Sequence, residues 1–567
     1  MKPVPAGKSP VRSILCLMMW LISSAAFAAE QGFCPICGMK MPCPMKCIAA
    51  TTSSTGEKMM LMSGLPAWLF FAGIALVLIV SFVVVEILTR ASRGQQEYPK
   101  FDILKMGLIK SVVKKPYFKF LFQFPMFLLF LFIIYAGIFG HGIINIAPIL
   151  TWTIWWAGLV FLILFFGKAW CFVCPWDFVA TLFQHGKPFG VSKAPFTLGL
   201  KWPRGLKNIY LAIGLFIVLT WFELGFKVTA SPRITAELGI LMIFLSVVPA
   251  LIFEKRSFCK YGCLVGRISG LYAMFSPVEV RSKNIFVCAS CKTKDCYAGN
   301  EKGNPCPTSL VVPQISENTY CILCTECVKS CPHDNVAINI RPFATDLKRF
   351  KKARVDEAWL AVILLALTSF HGLTMTPLWD SAQGVSVVGA LRRILNIGHL
   401  PAFTLAMLLV NGLLMGIYYL ICVITRRFAG DPRVLTKDIF FCYAYSILPV
   451  ALFYHLAHNG MHLFMEGQMV VPLLSDPLGR GMNLFGTAAW HLGPILSSQS
   501  IWVLQVGLVL TGHIFGIIIA HYVSRKLYAD PKRAMRSLLP MLMGMIFFSF
   551  VSLWIMHLDM NMRSSLM

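Results

Sequence analysis

Cys321, Cys324, Cys327 and Cys331 are spaced C-x2-C-x2-C-x3-C, and Pro332 follows. This spacing lets three thiolates close on one face of an iron–sulfur cube while the fourth reaches a neighbouring cluster. A partner group stands upstream as Cys288, Cys291 and Cys296, then Cys306 with Pro307, a stretched C-x2-C-x4-C-x9-C-P. The expected ligation is therefore crossed. One [4Fe–4S] cluster takes Cys288, Cys291, Cys296 and Cys331, and the other takes Cys321, Cys324, Cys327 and Cys306. Two zinc knuckles are the competing use, but zinc sites rarely adopt the second spacing. No substrate-binding motif adjoins the cysteines, so electron relay is expected rather than chemistry on a substrate.

Two further pairs follow apolar runs. Cys171 and Cys174 sit in Trp170-Cys-Phe-Val-Cys-Pro-Trp176, and Cys259 and Cys263 follow Lys255-Arg256-Ser-Phe258. Their basic neighbours lower thiol pKa values. They are candidates for redox dithiols or a further metal centre, with structural cysteine at helix ends as the alternative.

Near the N-terminus, Cys34, Cys37, Cys43 and Cys47 interleave with Met39, Met41 and Met45. Thiolate and thioether are soft ligands that select Cu(I). A zinc or iron knuckle and two disulfides compete with copper here.

The C-terminal half carries most of the twelve histidines. His455, His458 and His462 are spaced i, i+3, i+7 and share a helix face, expected where the run 439–457 leaves the membrane. His513 lies within an apolar run, and His557 lies at the end of another. Three uses compete: ligands of a b-type haem, copper ligands with Met465, Met560 and Met562, or proton acceptors from a quinol.

The elements that must position these groups are membrane helices. Of 567 residues, 57% are hydrophobic and only 13% are charged, against about 25% charged in soluble proteins. That composition excludes disorder, and the length excludes a small disulfide scaffold. Apolar runs of bilayer length recur near 66–88, 120–140, 147–167, 208–228, 235–253, 358–378, 401–424, 439–457, 500–522 and 538–557. Before them, Lys2, Lys8 and Arg12, the apolar run from Ile14 to Ala26 and Ala26-Phe27-Ala28 predict a secretory signal over 1–28.

The net charge of +26 fits this topology. If the mature chain starts outside, 39 of the 51 Lys and Arg residues fall on inner loops, as the positive-inside rule requires. The expected protein is a polytopic α-helical protein of the bacterial inner membrane, with both mature termini outside. It has an exported Cys/Met segment over 29–65, five spans over 66–253, a cytoplasmic α+β ferredoxin domain over 254–357, and five His-rich spans over 358–567.

The order of cysteine pair, cysteine pair and two-cluster ferredoxin over roughly 66–345 resembles the membrane-bound polyferredoxins typified by NosR, NapH and CcoG. The family hallmark is two C-x3-C-P motifs at cytoplasmic helix ends. Here the first pair is C-x2-C-P, and the second is C-x3-C followed by Leu264. The resemblance implies electron transfer linked to respiration or to maturation of a copper enzyme. It implies a quinol dehydrogenase-type or metal-reducing oxidoreductase component, with an exported metalloprotein or respiratory redox partner and the quinone pool as partners. A copper-handling assembly factor or transporter, whose ferredoxin keeps the metal reduced, is the alternative. Walker, Rossmann and H-E-x-x-H sequences are not evident, so nucleotide hydrolysis, nicotinamide binding and proteolysis are not expected, nor is nucleic acid.

Overall fold

The computed structural model describes residues 48–52, 58–90, 98–192, 195–381 and 386–562. The expected signal and all of Cys34 to Cys47, with Met39, Met41 and Met45, lie outside the described residues.

The chain is mostly helical. Strands β1 (Ile48–Thr52) and β2 (Lys58–Met62) precede α1 (Ala67–Arg90). Strand β3 (Phe101–Asp102) is followed by α2 (Phe118–Phe139) and α3 (Ile146–Phe166). Next come α4 (Pro175–His185), α5 (Tyr210–Gly225), α6 (Pro232–Ile252) and α7 (Leu264–Tyr272). A cysteine-rich lobe holds β4 (Val278–Ser282), α8 (Asp295–Ala298), α9 (Glu326–Ser330) and β5 (Val336–Ile340). The chain then returns to long helices: α10 (Val355–Thr374), α11 (His399–Ala429), α12 (Thr436–Glu466), α13 (Ser498–Leu527) and α14 (Pro531–His557). Strand β6 (Met560–Met562) pairs antiparallel with β2.

Among the described residues, nine helices are long and apolar enough to cross a membrane. Ten were expected, and the difference is α5. It has 16 residues, about 24 Å at 1.5 Å per residue, against a hydrocarbon core of about 30 Å. Gly225 ends it, and Lys227 turns through a left-handed conformation at φ 51°.

A second departure concerns α12. The helix does not stop near residue 457 but continues to Glu466, and its apolar course runs on to Ser475. It is the most deeply buried of the long helices, 89% of its apolar window being enclosed. It packs lengthwise on α13, where a Cβ on Gly512 would meet the Pro449 carbonyl oxygen at 2.8 Å. Gly512 is what lets the two backbones approach this closely.

Helix starts follow local chemistry. Pro232 opens α6 at the position where its missing N–H costs nothing, and the Ser231 side chain caps it. Asp530 and Pro531 do the same for α14.

The cysteine lobe is built on an antiparallel sheet of order β3-β5-β4. Its outer strand comes from Phe101–Asp102, well before the expected 254–357 segment. Helix α7 lies within that segment yet packs fully buried in the main core. Buried ion pairs knit the sheet. Arg341 donates to Glu279 at 2.7 Å, and both side chains are buried.

Candidate redox centre

The two cysteine runs of the lobe are structural repeats, which their unequal spacing hides. Lys294 stands two residues before Cys296 and Thr325 two before Cys327. Both are left-handed, at φ 52° and 62°, and each caps a short helix, α8 or α9. Ser309 and Asp334 each stand three residues after a Cys-Pro cysteine, also left-handed at φ 56° and 50°. Leu310 N donates to Cys306 Sγ at 3.3 Å, and Asn335 N donates to Cys331 Sγ at 3.3 Å. The matching bonds show that the longer x9 gap leaves Cys306 in the same local geometry as Cys331.

One cavity is lined by Cys288, Cys291, Cys296 and Cys331. A second is lined by Cys306, Cys321, Cys324 and Cys327, and also by Cys296. The first draws three cysteines from one run and its fourth from the other; the second draws three from one run and two, Cys296 and Cys306, from the other. Asn335, which the sequence did not single out, spans the first set: its side-chain amide donates to Cys288 Sγ at 3.1 Å while its backbone serves Cys331. Such N–H···S bonds stabilise thiolates and tune a cluster's potential. Val280, Val312 and Val328 pack with Cys296, Cys321, Cys327 and Cys331, whereas Cys288 and Cys291 are partly exposed. The residues present match two thiolate-ligated clusters in donor type, although among the described residues no three of these cysteines stand close enough to hold a single metal ion.

The two pairs at the helix ends meet one another. Cys174 lies within electrostatic reach of Cys171 and Cys259, and Cys263 within reach of Cys171. Burial pushes the Cys263 thiol up to about 11 and the Lys168 ammonium beside these cysteines down to about 8, Arg267 adding to the latter. Asp177, also missed by the sequence reading, organises the surroundings. It accepts from Lys119 Nζ at 2.6 Å and Arg256 Nε at 2.7 Å.

A cavity of about 340 Å³ lies on the far side of these pairs. Trp152, Trp155, Trp156, Trp170 and Trp176 line it. Ile149–Trp156 of α3 is wound as a π-helix, which brings residues four and five apart onto one face. Thr151, Trp152, Trp155 and Trp156 therefore all reach the cavity. The Thr151 hydroxyl and the indole N–H groups of Trp155, Trp170 and Trp176 are buried without hydrogen-bond partners among the described residues. Leaving such groups unmade costs about 1–3 kcal/mol each.

The histidines divide. His455, His458 and His462 do share a face of α12, but they are buried inside the bundle rather than at an exit. His455 Nδ1 lies 3.5 Å from the Tyr272 hydroxyl. The His458 ring stands 5.1 Å from that of His371 and 5.3 Å from that of His462. His462 Nδ1 is 3.2 Å from Glu466 Oε1. His513 is remote from this column in its bonding: Ser81 Oγ lies 2.8 Å from Nε2 and Ser549 Oγ 2.9 Å from Nδ1. His557 donates from Nδ1 to the Leu65 carbonyl at 2.6 Å and stacks on Phe70. Among the described residues, no three His, Cys, Asp or Glu side chains converge where they could hold a single metal ion. The copper and haem expectations for His455, His458, His462, His513 and His557 gain no support from this arrangement. Both nitrogens of His513 are already engaged by hydroxyls.

These environments separate the histidines by mutation. His513→Ala removes two buried hydrogen bonds and opens a void, so it should cost about 2–4 kcal/mol. Neither ring nitrogen of His458 has a hydrogen-bond partner among the described residues, so His458→Phe should leave the melting temperature unchanged or raise it. Thermal unfolding in detergent compares the two.

Fold and site together define a multi-pass helical membrane protein with a cysteine-rich lobe at one end of its bundle. No family model matches the chain, and no solved structure matches it. The chain is similar to an uncharacterized protein of Methanocaldococcus jannaschii, 24% identical over 195 residues, which make up 32% of this chain and 76% of that protein.

Proposed function

We propose that this chain is a membrane-bound iron–sulfur electron relay that exchanges electrons between the cytoplasmic face and quinone in the membrane. The observation that carries the reading is the crossed grouping of cysteines around two cavities. Two [4Fe–4S] clusters, when bound, supply one-electron carriers whose potential the protein sets. Asn335 and the Leu310 N–H would hold negative charge on the sulfurs, and the valine cluster would shield the centre of Cys321, Cys324, Cys327 and Cys306. The lobe is proposed to lie on the cytoplasmic side of a bacterial inner membrane, a reading supported by the Lys and Arg excess of the loops that adjoin it.

At the membrane end, the tryptophan-lined cavity suits an isoprenoid quinone. Ligand sites combine apolar walls with a few placed polar groups. Here indoles would flank the ring, and the unpartnered indole N–H groups and Thr151 hydroxyl would donate to its oxygens. Each quinol oxidised to quinone releases two electrons and two protons, and reduction takes up the same. An exported metalloprotein, such as a copper enzyme, is the proposed end user of the electrons.

The test uses protein purified anaerobically and placed in lipid nanodiscs. A reduced quinol analogue is added and the visible absorbance of the clusters is followed. Trp170→Leu with Trp176→Leu should slow the exchange about tenfold, corresponding to roughly 1.4 kcal/mol, without loss of iron. Exchange that survives both this change and Cys324→Ser would overturn the proposal.

A further inference from the structure

We propose that Cys171, Cys174, Cys259 and Cys263 hold a third centre, an iron–sulfur cluster lying between the cysteine lobe and the tryptophan-lined cavity. The inference deepens the electron-relay reading and rests on it.

The donor set comes first. Two pairs far apart in sequence come within electrostatic reach of one another, and all four donors are sulfur; among the described residues no three of them close on a single metal ion, so the group they would hold is a larger cluster. The nearest carboxylate is not available as a ligand, because Asp177 is bound by Lys119 and Arg256.

Charge is the second and independent observation. Lys168 is 1% exposed, and its ammonium has no hydrogen-bond partner among the described residues. It faces Cys171, Cys259 and Cys263, with Arg267 beside it. Arg267 is also buried, and its guanidinium donates to the carbonyls of Gly266 and Thr319, which are neutral. Glu357 lies within electrostatic reach of Arg267, but no carboxylate is among the groups acting on Lys168, so its buried ammonium is costly unless another anion sits nearby. A cluster held by four thiolates carries that negative charge.

Local backbone geometry agrees. Cys174 is the N-cap of the eleven-residue α4, and Cys263 is the N-cap of the nine-residue α7. Both sulfurs thus lie at the positive end of a helix dipole. Gly266 N donates to Cys263 Sγ at 3.4 Å.

Position supplies the role. Arg256 N donates to the Pro307 carbonyl at 3.0 Å, joining the second pair's loop to the Cys306-Pro307 corner of the lobe. On the opposite side, Trp170, Pro175, Trp176 and Leu264 adjoin these cysteines in sequence and line the cavity. The centre would take one electron from one neighbour and pass one to the other, with no bond made or broken.

The experiment compares wild type with Cys171→Ser/Cys263→Ser, both purified anaerobically, by iron, acid-labile sulfide and EPR of the reduced state. The double variant should lose about two to four irons with matching sulfide and one EPR signal, leaving the lobe signals unchanged. Lys168→Met should keep that signal but move its midpoint to lower potential, while the lobe signals stay in place. If the double variant fails to fold, Cys259→Ser provides the same readout. Unchanged iron, sulfide and spectra in the variant would overturn the third centre alone, as would loss of copper or zinc in place of iron. Wild-type protein without iron or sulfide would instead overturn the relay reading itself.

Discussion

Asp177→Ala is expected to cost about 3–5 kcal/mol, the range found when one partner of a buried ion pair is removed. Asp177 is 5% exposed and is the meeting point of three elements. Lys119 reaches it from α2, Arg256 from the loop after α6, and Gln123 Nε2 donates at 3.3 Å. These two cations hold its carboxyl well below the usual carboxylate range despite burial. Without the carboxylate, two cations remain buried and uncompensated. The alignment of the two cysteine pairs is then lost with the fold. Membrane yield and melting temperature in detergent measure this. Asp177→Ala combined with Lys119→Met should recover part of the loss, because it removes one of the stranded charges.

Cys331→Ala should abolish one lobe centre and spare the other, and it tests crossed ligation directly. Cys331 belongs by sequence to the run of Cys321, Cys324 and Cys327. By position it lines the cavity of Cys288, Cys291 and Cys296. Its loss should therefore remove about four irons and the same signal that Cys288→Ala removes. Cys306→Ala should remove the other signal, together with Cys324→Ala. If Cys331→Ala and Cys324→Ala eliminate the same signal, ligation is not crossed. Iron content and reduced-state EPR of the four variants make the comparison.

Much of the scaffold was legible because bilayer length and hydropathy are strong, local signals. Nine of the ten expected runs became long apolar helices. The run at 208–228 did not, because Gly225 and the left-handed turn at Lys227 cut it short. The exit of α12 was misplaced for a different reason. Polar His458, Asn459 and His462 read as a membrane boundary, but neighbouring helices bury them, so tertiary packing overrode composition.

The cysteine spacings foreshadowed which thiols line the lobe's two cavities. What they could not carry was the repeat in backbone conformation. Lys294 and Thr325 share a left-handed geometry without sharing a residue type. Asn335, Lys168 and Asp177 were silent because their roles depend on partners distant in sequence. Asn335 reaches Cys288 across 47 positions, and Asp177 reaches Arg256 across 79. The tryptophan cavity was hidden by the π-winding of Ile149–Trp156, since an α-helical reading spreads those side chains around the helix.

The most direct measurement is metal and sulfide analysis of the anaerobically purified wild-type protein, with EPR after dithionite reduction. At least about eight irons per chain with equal acid-labile sulfide are expected. Two magnetically interacting lobe centres should accompany them, because Cys296 borders both cavities. Zinc without sulfide, or iron without interacting signals, would contradict an electron relay built on these cysteines.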